Sequence, residues 1–431
     1  MQHETWHYKS IEELNSKAAE LGAFMPLSSD TSCLYRPLDL GSISVPNRIA
    51  LQPMEGSDGT EKGAPGELTK RRYVRFARGG AGLIWFEAVA SVPEARASLH
   101  QLMLTEENVD DFKRLLDEVR EAGIKANGYA PVIVMQATNS GRYSKPTGVP
   151  QPIIAENRPP LEDTKLPESC IVSDETLDRY AAAFENSAKL SQKAGFDGMD
   201  VKFCHGYLAI ELLGAFTRPG RYGGSYENRT RFIKDAYRAA KSAVSGKFFL
   251  TSRMGAYDGF AFPYGFGMSK DSLEPDFSEP IKLIGELKDE FDIPLLNITM
   301  GNPYRNPHVN RPYDHGNYVP DEHPLEGISR MMKGVSTLQH AYPELPIIGS
   351  AYSYLREYSL ELAAGMVSGG HCAMAGFGRL ALAYPDFPNE GKTNAVLDKS
   401  KCCVTCGACA SLLRAGRNAG CCVRDREVYK L

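Results

Sequence analysis

Six of the ten cysteines in this 431-residue chain lie in one short stretch, residues 402 to 422, which reads CCVTCGACASLLRAGRNAGCC. A C-x2-C-x2-C-x11-C spacing places three thiols in a tight turn and a fourth after a short helix-like segment; these are Cys403, Cys406, Cys409 and Cys421. Four thiolates at such spacing are typical ligands of a 4Fe–4S cluster. Structural zinc held in a tetrahedron of four cysteine thiolates is the main alternative, and disulfides are the other.

Composition and charge bear on the choice between these alternatives. Hydrophobic residues make up 42% of the chain and charged residues 24%, and a formal net charge of −4 offers no general attraction to nucleic acid or membranes. The N-terminal stretch lacks the basic-then-apolar order of a secretory signal, and no apolar run approaches the roughly eighteen residues needed to span a bilayer. We therefore expect a cytoplasmic protein with no nucleic-acid or membrane partner. In that reducing compartment a cysteine cluster is more often a metal site, and Cys402 and Cys422 are candidates to replace one of its ligands.

The hydrophobic pattern predicts the elements that position such a centre. Short β-rich apolar runs alternate with amphipathic helical stretches, as in repeated βα units. Eight runs are present: IALQPM (49–54), GLIWFEAV (82–89), PVIVMQA (131–137), GMDVKF (198–203), FFLTSRM (248–254), PLLNITM (294–300), PIIGSA (346–351) and HCAMAG (371–376). Eight strands each followed by a helix specify an α/β fold, the (β/α)8 or TIM barrel, whose chemistry lies at the carboxyl ends of the strands. A doubly wound open sheet is the alternative.

Two long aromatic loops follow the fifth and sixth runs, at 255–280 and 301–327. Loops of more than about twenty residues inside a compact domain are usually lids or binding walls, although surface decoration is the alternative. The second loop contains Tyr304, His308 and Arg311, which are candidates for substrate contact or for a solvated surface.

Several of these strings resemble the old yellow enzyme flavoproteins, in particular their iron–sulfur branch with 2,4-dienoyl-CoA reductase and trimethylamine dehydrogenase. The resemblance covers roughly residues 34 to 425. The strings that carry it are PNRIALQPM, GGAGLIWFEA, QATNSGR, GFDGMDVKFCHGYLAIELLGAFTRPGRYGGSYENRTRF and GFGRLALAYPDFP. The ordered HGYL and RYGGSYENRTRF segments are its most specific part. The resemblance implies FMN at the mouth of a TIM barrel and an iron–sulfur cluster at the terminal cysteines.

The resemblance also implies a set of cofactor-binding residues. Arg253 would place a fixed positive charge beside the flavin pyrimidine, where charge develops on reduction. Gln136 would hydrogen-bond the same ring, and backbone between the seventh and eighth strands would hold the phosphate. The expected set is Pro53, Met54, Glu87, Gln136, Arg253, Ser350, Ala351, Gly378 and Arg379.

The expected catalytic group follows the fourth strand, in KFCHGYL. In the resembling enzymes two polar side chains at this place grip a carbonyl or carboxylate oxygen and a tyrosine delivers a proton. The matching residues here are Lys202, His205 and Tyr207. A polarised enone accepts hydride at its β-carbon, and a positioned phenol protonates the α-carbon.

Three positions depart from the pattern of the resembling enzymes. Lys202 stands where histidine is common, which indicates an anionic or strongly polarised substrate oxygen. Glu55 stands where many relatives have threonine or cysteine, and Asn139 replaces a histidine in QATNSGR. The cysteine spacing is also one residue shorter than the C-x2-C-x3-C-x11-C of the iron–sulfur branch.

The source of electrons is predicted from a missing motif. The named relatives continue into a nucleotide-binding module with a G-x-G-x-x-G fingerprint, and this sequence contains no strand followed by that fingerprint. We expect electrons to reach the cluster from a separate protein, such as a ferredoxin or a flavin reductase. Direct reduction of FMN by NAD(P)H is the alternative, and the chain is a candidate homo-oligomer.

Three parts of the chain and one main function are therefore predicted. The parts are an N-terminal helical extension (1–33), an FMN-binding TIM barrel (34–395) and a cluster-binding segment (396–431). The function is reduction of the C=C bond of an α,β-unsaturated carbonyl or carboxylate compound, with Tyr207 as proton donor and the cluster as electron relay. An oxidative amine or steroid dehydrogenase is the second enzyme reading, and a barrel-based binding protein with a structural zinc knuckle is the non-enzyme alternative.

Overall fold

The apolar runs form the strands of a closed parallel barrel in the computed structural model, which describes residues 4–314, 319–394 and 396–430. The barrel strands are β3 (Ile49–Leu51), β4 (Leu83–Ala90), β5 (Val132–Thr138), β6 (Gly198–Val201), β7 (Phe249–Thr251), β8 (Arg253–Gly255), β9 (Leu296–Thr299), β10 (Ile347–Gly349) and β11 (Met374–Phe377), which follow a short hairpin of β1 (Leu38–Asp39) and β2 (Ser44–Val45). The sheet order is β7-β6-β5-β4-β3-β11-β10-β9-β8. Only Ser252 separates β7 from β8, so one chain segment pairs with β6 on one side and β9 on the other.

Closure at this segment confirms the predicted (β/α)8 barrel and excludes the open sheet. All eight predicted runs contain a strand, and the fifth run contains two, because the chain changes pairing partner at Ser252. In the register, Thr251 lies opposite Asp200 of β6, and Arg253 lies opposite Asn297 of β9. β7 and β8 therefore count together as one of the eight barrel strands, and no helix lies between them.

Helices cover the outside of the barrel, as the βα pattern predicts. They are α1 (Ile11–Glu20), α2 (Glu67–Arg78), α3 (Val109–Asn127), α4 (Asp174–Ala194), α5 (Leu208–Leu213), α6 (Tyr226–Ser242), α7 (Ser278–Phe291), α8 (Pro307–Asn310), α9 (Pro324–Ala341), α10 (Ser359–Ser368), α11 (Arg379–Ala383), α12 (Phe387–Thr393) and α13 (Ala408–Arg414). Both ends of α4 are capped: the Ser173 side chain accepts from the Thr176 amide, and Gly195 adopts φ 94° after the last turn. None of the helices in the described ranges is both long and apolar enough to cross a lipid bilayer.

The two ends of the barrel are closed in different ways. At the end where the strands begin, Leu40 and Val45 of the hairpin region join the core cluster that contains Leu83 and Trp85. This apolar plug leaves the opposite end, where the strands finish, to carry polar side chains.

The cysteine-rich segment is anchored beside the carboxyl ends of the strands. The Ala419 amide donates to the Gly56 carbonyl, just after β3, at 2.7 Å. Asp425 accepts hydrogen bonds from Arg71 and Arg75 on α2, and Tyr429 is buried against the segment's own apolar residues. The predicted boundary between barrel and segment falls at residue 395, which lies outside the described residues, as do residues 1–3, 315–318 of the sixth loop, and 431.

Candidate active site and cysteine cavity

A cavity opens at the carboxyl ends of the barrel strands. Residues in or after six of the barrel strands line it, from β3, β6, β8, β9, β10 and β11. Twelve of the predicted cofactor, catalytic and substrate residues are among the lining: Pro53, Met54, Lys202, His205, Tyr207, Arg253, Tyr304, Arg311, Ser350, Ala351, Gly378 and Arg379. Three are not: Glu87, Gln136 and His308.

Tyr207 is at the centre of a hydrogen-bonded group on one wall of the cavity. Its hydroxyl donates to Glu55 Oε1 at 3.0 Å and lies 3.3 Å from the Tyr304 hydroxyl. Burial raises the pKa of Tyr207 well above its ordinary value, and the charge of Glu55 raises it further. The phenol is therefore neutral at physiological pH and able to give up a proton.

Lys202 packs against the same group. Its Nζ lies 3.7 Å from Glu55 Oε1 and 3.7 Å from the centroid of the Tyr207 ring. Burial lowers the pKa of Lys202, whereas the charge of Glu55 raises it. A carboxylate, a phenol and an ammonium group thus share one small region in which each limits the others' orientation.

His205 reaches the cavity because the chain turns sharply after β6. His205 adopts φ 64° and Gly206 φ 72°, two consecutive left-handed residues. A Cβ on Gly206 would lie 2.1 Å from Asn302 Nδ2, so this turn requires glycine. The His205 ring lies 3.4 Å from Thr299 Oγ1, and burial together with Arg253 and Lys202 lowers its pKa well below 6.5. The imidazole is therefore neutral.

Two buried polar atoms near the cavity floor have no hydrogen-bond partner in the described structure. Gln136 donates through Nε2 to Asp200 Oδ2 at 2.6 Å, which leaves its Oε1 unsatisfied. Arg253 is buried too, and its Nε is unsatisfied. Asp200 also accepts from Trp85 Nε1, so the carboxylate fixes the Gln136 amide in place. Of these two residues Arg253 lines the cavity, so its cationic donor is left for a bound group.

Glu87 and His308 are engaged elsewhere. The Glu87 carboxylate is buried and accepts from Arg72, from the Tyr73 hydroxyl and from the Gly56 amide. His308 is buried and lies 3.2 Å from Glu322 at the start of α9. Both side chains support the loops behind the cavity.

Sequence patterns do not identify several residues of the site. Glu55 stands out in sequence only as a departure from the family pattern. Arg414 lies between Cys409 and Cys421, away from every strand. Tyr143 stacks on Tyr304 with ring centroids 3.7 Å apart, which holds Tyr304 against the cavity. Tyr143 belongs to a long segment between β5 and α4 that carries no catalytic signal in sequence, and only the stacking contact reveals its role.

The cysteines surround a second, smaller cavity. Its lining includes all four predicted ligands and one further thiol: Cys403, Cys406, Cys409, Cys421 and Cys422. Cys402 is buried but does not line this cavity. Among the described residues, no group of three or more metal-ligating side chains converges on the position of a single ion.

The two cavities are neighbours. Arg379, Leu382 and Cys409 line both of them, so one layer of side chains separates the barrel mouth from the cysteines. Burial raises the pKa of the Cys403 thiol to about 11, and the positive charge of Arg379 partly offsets this effect.

The sequence profile described as the NADH:flavin oxidoreductase / NADH oxidase family matches residues 33–309, more than half of the chain. The chain belongs to this family. The predicted relationship to the old yellow enzymes is thereby confirmed.

Members of the NADH:flavin oxidoreductase family are recognisable relatives along part of their length. A NADPH dehydrogenase from Geobacillus sp. (strain WCH70) is 33% identical over 222 residues, which cover 50% of this chain and 62% of the relative. One from Bacillus pumilus (strain SAFR-032) is 32% identical over 224 residues, with the same two shares. The chain thus spans less than two thirds of the length of these relatives.

Solved structures extend the comparison of the fold to nearly the whole chain. A 2-naphthoyl-CoA reductase complexed with 2-naphthoyl-CoA superposes with a TM-score of 0.72 at 18% identity, covering 92% of this chain and 57% of that one. Histamine dehydrogenase from Rhizobium sp. 4-9 superposes with a TM-score of 0.68 at 18% identity, covering 91% and 52%. At such identities the agreement concerns the fold, which matches the predicted TIM barrel.

The barrel mouth of this family member fits FMN by the chemistry of its lining. The unsatisfied Arg253 Nε is a cationic donor in the cavity, and it complements a carbonyl acceptor of a flavin pyrimidine ring. The donor set of the cysteine cavity, five thiols around a shared space, fits a polynuclear iron–sulfur cluster.

Proposed function

We propose that this protein is an FMN-dependent ene-reductase that reduces the C=C bond of an α,β-unsaturated carbonyl or carboxylate compound. We further propose that a 4Fe–4S cluster in the cysteine cavity relays electrons to the barrel mouth. The observation that carries the proposal is the convergence of Lys202, His205 and Tyr207 on one cavity that also contains the unsatisfied Arg253. FMN bound there would supply hydride from its N5 atom.

The chain's own residues would activate the substrate. Lys202 and His205 line the cavity close to Tyr207 and are the candidates to hold the substrate's carbonyl or carboxylate oxygen. Because His205 is neutral, it acts as a hydrogen-bond donor, and Lys202 supplies the charge that draws electron density from the double bond. Lys202 is buried and His205 is half-buried, which strengthens their electrostatic effect on the bound oxygen.

Tyr207 would deliver the proton to the α-carbon. Its raised pKa keeps the proton on the phenol until the carbon has gained carbanion character. Glu55 and Tyr304 are the two groups within hydrogen-bond distance of the phenol among the described residues, so they would return a proton to it after each turnover. Glu55 is 3.0 Å away, which makes it the shorter of the two routes.

The positive charge of the cavity favours a substrate with an electron-rich oxygen over a substrate with an ammonium group. The cationic lining residues are Lys202, Arg253, Arg311, Arg379 and Arg414, and Glu55 is the one carboxylate among the lining residues described. The Tyr207 ring already faces the Lys202 ammonium at 3.7 Å, so this aromatic surface is not free for a second cation. Oxidation of an amine is therefore the weaker reading.

An anaerobic half-reaction tests the proposal. The purified protein is expected to be yellow-brown and to contain one FMN and about four irons per chain. After reduction with dithionite, 2-cyclohexenone or cinnamate is expected to reoxidise the flavin absorbance, whereas histamine and other primary amines are expected not to reduce the oxidised protein. A preparation without flavin that holds one zinc per chain would instead support a binding protein.

A further inference from the structure

The cysteine-rich segment differs in charge from the rest of the chain. Residues 396–430 contain seven basic and three acidic residues, a surplus of four positive charges. The whole chain has a formal net charge of −4, so the remainder carries −8. Positive charge is therefore concentrated in the part of the chain that holds the cysteines.

Five of these basic side chains are exposed and form no ion pair with a carboxylate in the described part of the chain. One of them, Arg414, lines the barrel-mouth cavity, and the other four are Arg417, Arg424, Arg426 and Lys430. Arg417 donates to the Lys430 carbonyl at 2.6 Å, and Arg424 donates to the Cys402 carbonyl at 3.1 Å, so backbone oxygens hold these guanidinium groups without neutralising them. By contrast, Lys401 pairs with Glu390 and Lys399 with Glu357.

Apolar side chains are exposed among these cations, next to the thiols. Val423 is 40% exposed and lines the cysteine cavity together with the exposed Cys406. Val428 is 38% exposed, between Arg426 and Lys430. We call the set Val423, Arg424, Arg426, Val428, Lys430 and Arg417 the basic surface.

We propose that the basic surface docks a small acidic electron-transfer protein of the ferredoxin class. The inference rests on the proposed function, since it places the entry point of electrons at Cys406. Charge complementarity favours an acidic partner, because its carboxylates would face the four unpaired cations of the basic surface. The two exposed valines would contact apolar side chains of the partner and exclude water from the interface. Electron-transfer encounters of this kind are small, often below about 1,200 Å² of total buried area, so the partner would need to contact only a few side chains.

The electron count requires two docking events for each product. Each reduced ferredoxin gives one electron and is itself oxidised. Two electrons and one solvent proton make up the hydride equivalent added at the β-carbon, and Tyr207 supplies the second proton to the α-carbon. A transient complex suits this sequence, because the oxidised donor must leave before the next one binds.

A binding measurement tests the surface independently of catalysis. The probe is a purified acidic bacterial ferredoxin, titrated against the cluster-loaded protein by calorimetry at about 20 mM salt. The triple variant Arg417→Glu/Arg426→Glu/Lys430→Glu is expected to weaken binding by about tenfold or more. In about 0.5 M salt the affinity of the wild type for ferredoxin should fall close to that of the triple variant, because salt screens exposed charges.

A matched charge change serves as the control. Lys125→Glu/Lys241→Glu/Lys247→Glu alters exposed residues at the end of the barrel where the strands begin, with the same change in net charge. This variant is expected to bind ferredoxin within about twofold of the wild type. A milder variant, Arg426→Gln/Lys430→Gln, keeps the test valid if the triple variant fails to fold, and is expected to weaken binding by about threefold.

Three results would overturn the proposal: no binding of ferredoxin by the wild type at low salt, equal loss in the control variant, or unchanged binding in both surface variants. A 20-base RNA is titrated in parallel, and binding of RNA without binding of ferredoxin would also overturn it. Dithionite bypasses docking, so dithionite-driven reduction of 2-cyclohexenone tests the proposed function separately. If that reaction failed while ferredoxin still bound, the result would contradict the proposed ene-reductase activity but support the docking surface.

Discussion

The barrel mouth and the cysteine cavity are neighbours, but their reactive groups are stabilised differently. In the barrel mouth, Tyr207, Glu55 and Lys202 contact one another, so a phenol, a carboxylate and an ammonium group are largely satisfied by the protein itself. In the cysteine cavity, burial raises the pKa of Cys403 to about 11 and also raises that of Cys409. Buried thiols remain protonated unless a cation compensates them.

Under the proposed function, this difference makes the cysteine cavity the region that would depend on its cofactor. The group in the barrel mouth is held by contacts within the protein. The thiols would become ligands only when the proposed 4Fe–4S cluster offset the cost of their deprotonation, so cluster binding would be coupled to local folding of the terminal segment. Among the described residues, Arg379 is the cation that lines both cavities.

The largest expected effect comes from two neighbouring cysteines that line the second cavity. The double variant Cys421→Ser/Cys422→Ser is expected to lose nearly all iron and sulfide, because it leaves three thiols in the lining and four thiolates are needed to hold a 4Fe–4S cluster. Iron and acid-labile sulfide analysis of the anaerobically purified variant measures this.

Cys402→Ser is the matched control for that prediction. Cys402 is a buried residue of the same cysteine-rich segment, but it does not line the cavity. The Cys402→Ser variant is therefore expected to keep its iron. Equal loss of iron from both variants would contradict the assignment of ligands and weaken the contrast between the two regions.

The next largest effect concerns the proton donor of the barrel mouth. Tyr207→Phe is expected to slow reoxidation of the reduced flavin by 2-cyclohexenone about a hundredfold, the usual contribution of a general acid, while flavin reduction stays intact. Stopped-flow absorbance measures both half-reactions. Tyr143→Phe, whose hydroxyl contacts Asn302 outside the cavity lining, is expected to change the rate by less than about threefold. An unchanged oxidative half-reaction in Tyr207→Phe would remove Tyr207 from the proton-donor role.

Apolar runs predicted the barrel, and the resemblance to a known family supplied most of the candidate residues that line its mouth. Apolar runs mark strands, and residues that follow them must meet at one end of a parallel barrel. The pattern does not say where a buried polar side chain finds its partner. Glu87 is held by Arg72, and Gln136 by Asp200, through contacts between residues distant in sequence.

The cysteine spacing similarly identified a site but not its boundary. Cys422 lines the cavity and Cys402 does not, although both adjoin the predicted ligands. Which one faces the cavity depends on how the terminal segment is tied to the barrel, through Ala419 to Gly56 and through Asp425 to α2. These are tertiary contacts that no motif encodes.

A smaller effect is expected from the carboxylate that partners Lys202. Glu55→Gln keeps the size of the side chain and removes the charge that raises the pKa of Lys202. Lys202 should then lose its proton at lower pH, so the alkaline fall in the oxidative half-reaction should move to lower pH by about one unit. The pH profile of the half-reaction measures this.

Glu94→Gln is the control for the shift in pH profile. Glu94 is a partly exposed carboxylate that pairs with Arg179, away from the cavity lining. Its variant is expected to leave the alkaline limb unchanged. An unshifted alkaline limb in Glu55→Gln would indicate that the pKa of Lys202 does not depend on Glu55. The ionisable groups of the barrel mouth would then not stabilise one another.

The smallest effect is expected from His205, whose ring the structure holds neutral. Burial, Arg253 and Lys202 lower its pKa well below 6.5, so the oxidative half-reaction should show no inflection between about pH 6 and pH 8. The unfolded chain binds a proton on this residue near pH 6.5 and the folded chain does not, so the free energy of unfolding should fall as pH drops below that value. His205→Asn keeps a hydrogen-bond donor and should remove this pH dependence of stability, which urea unfolding at about pH 5.5 and about pH 7.5 measures. A rate inflection near pH 6.5 that disappears in His205→Asn would mean that the ring is protonated in turnover, and that the barrel mouth, like the cysteine cavity, needs a bound group to set its charge.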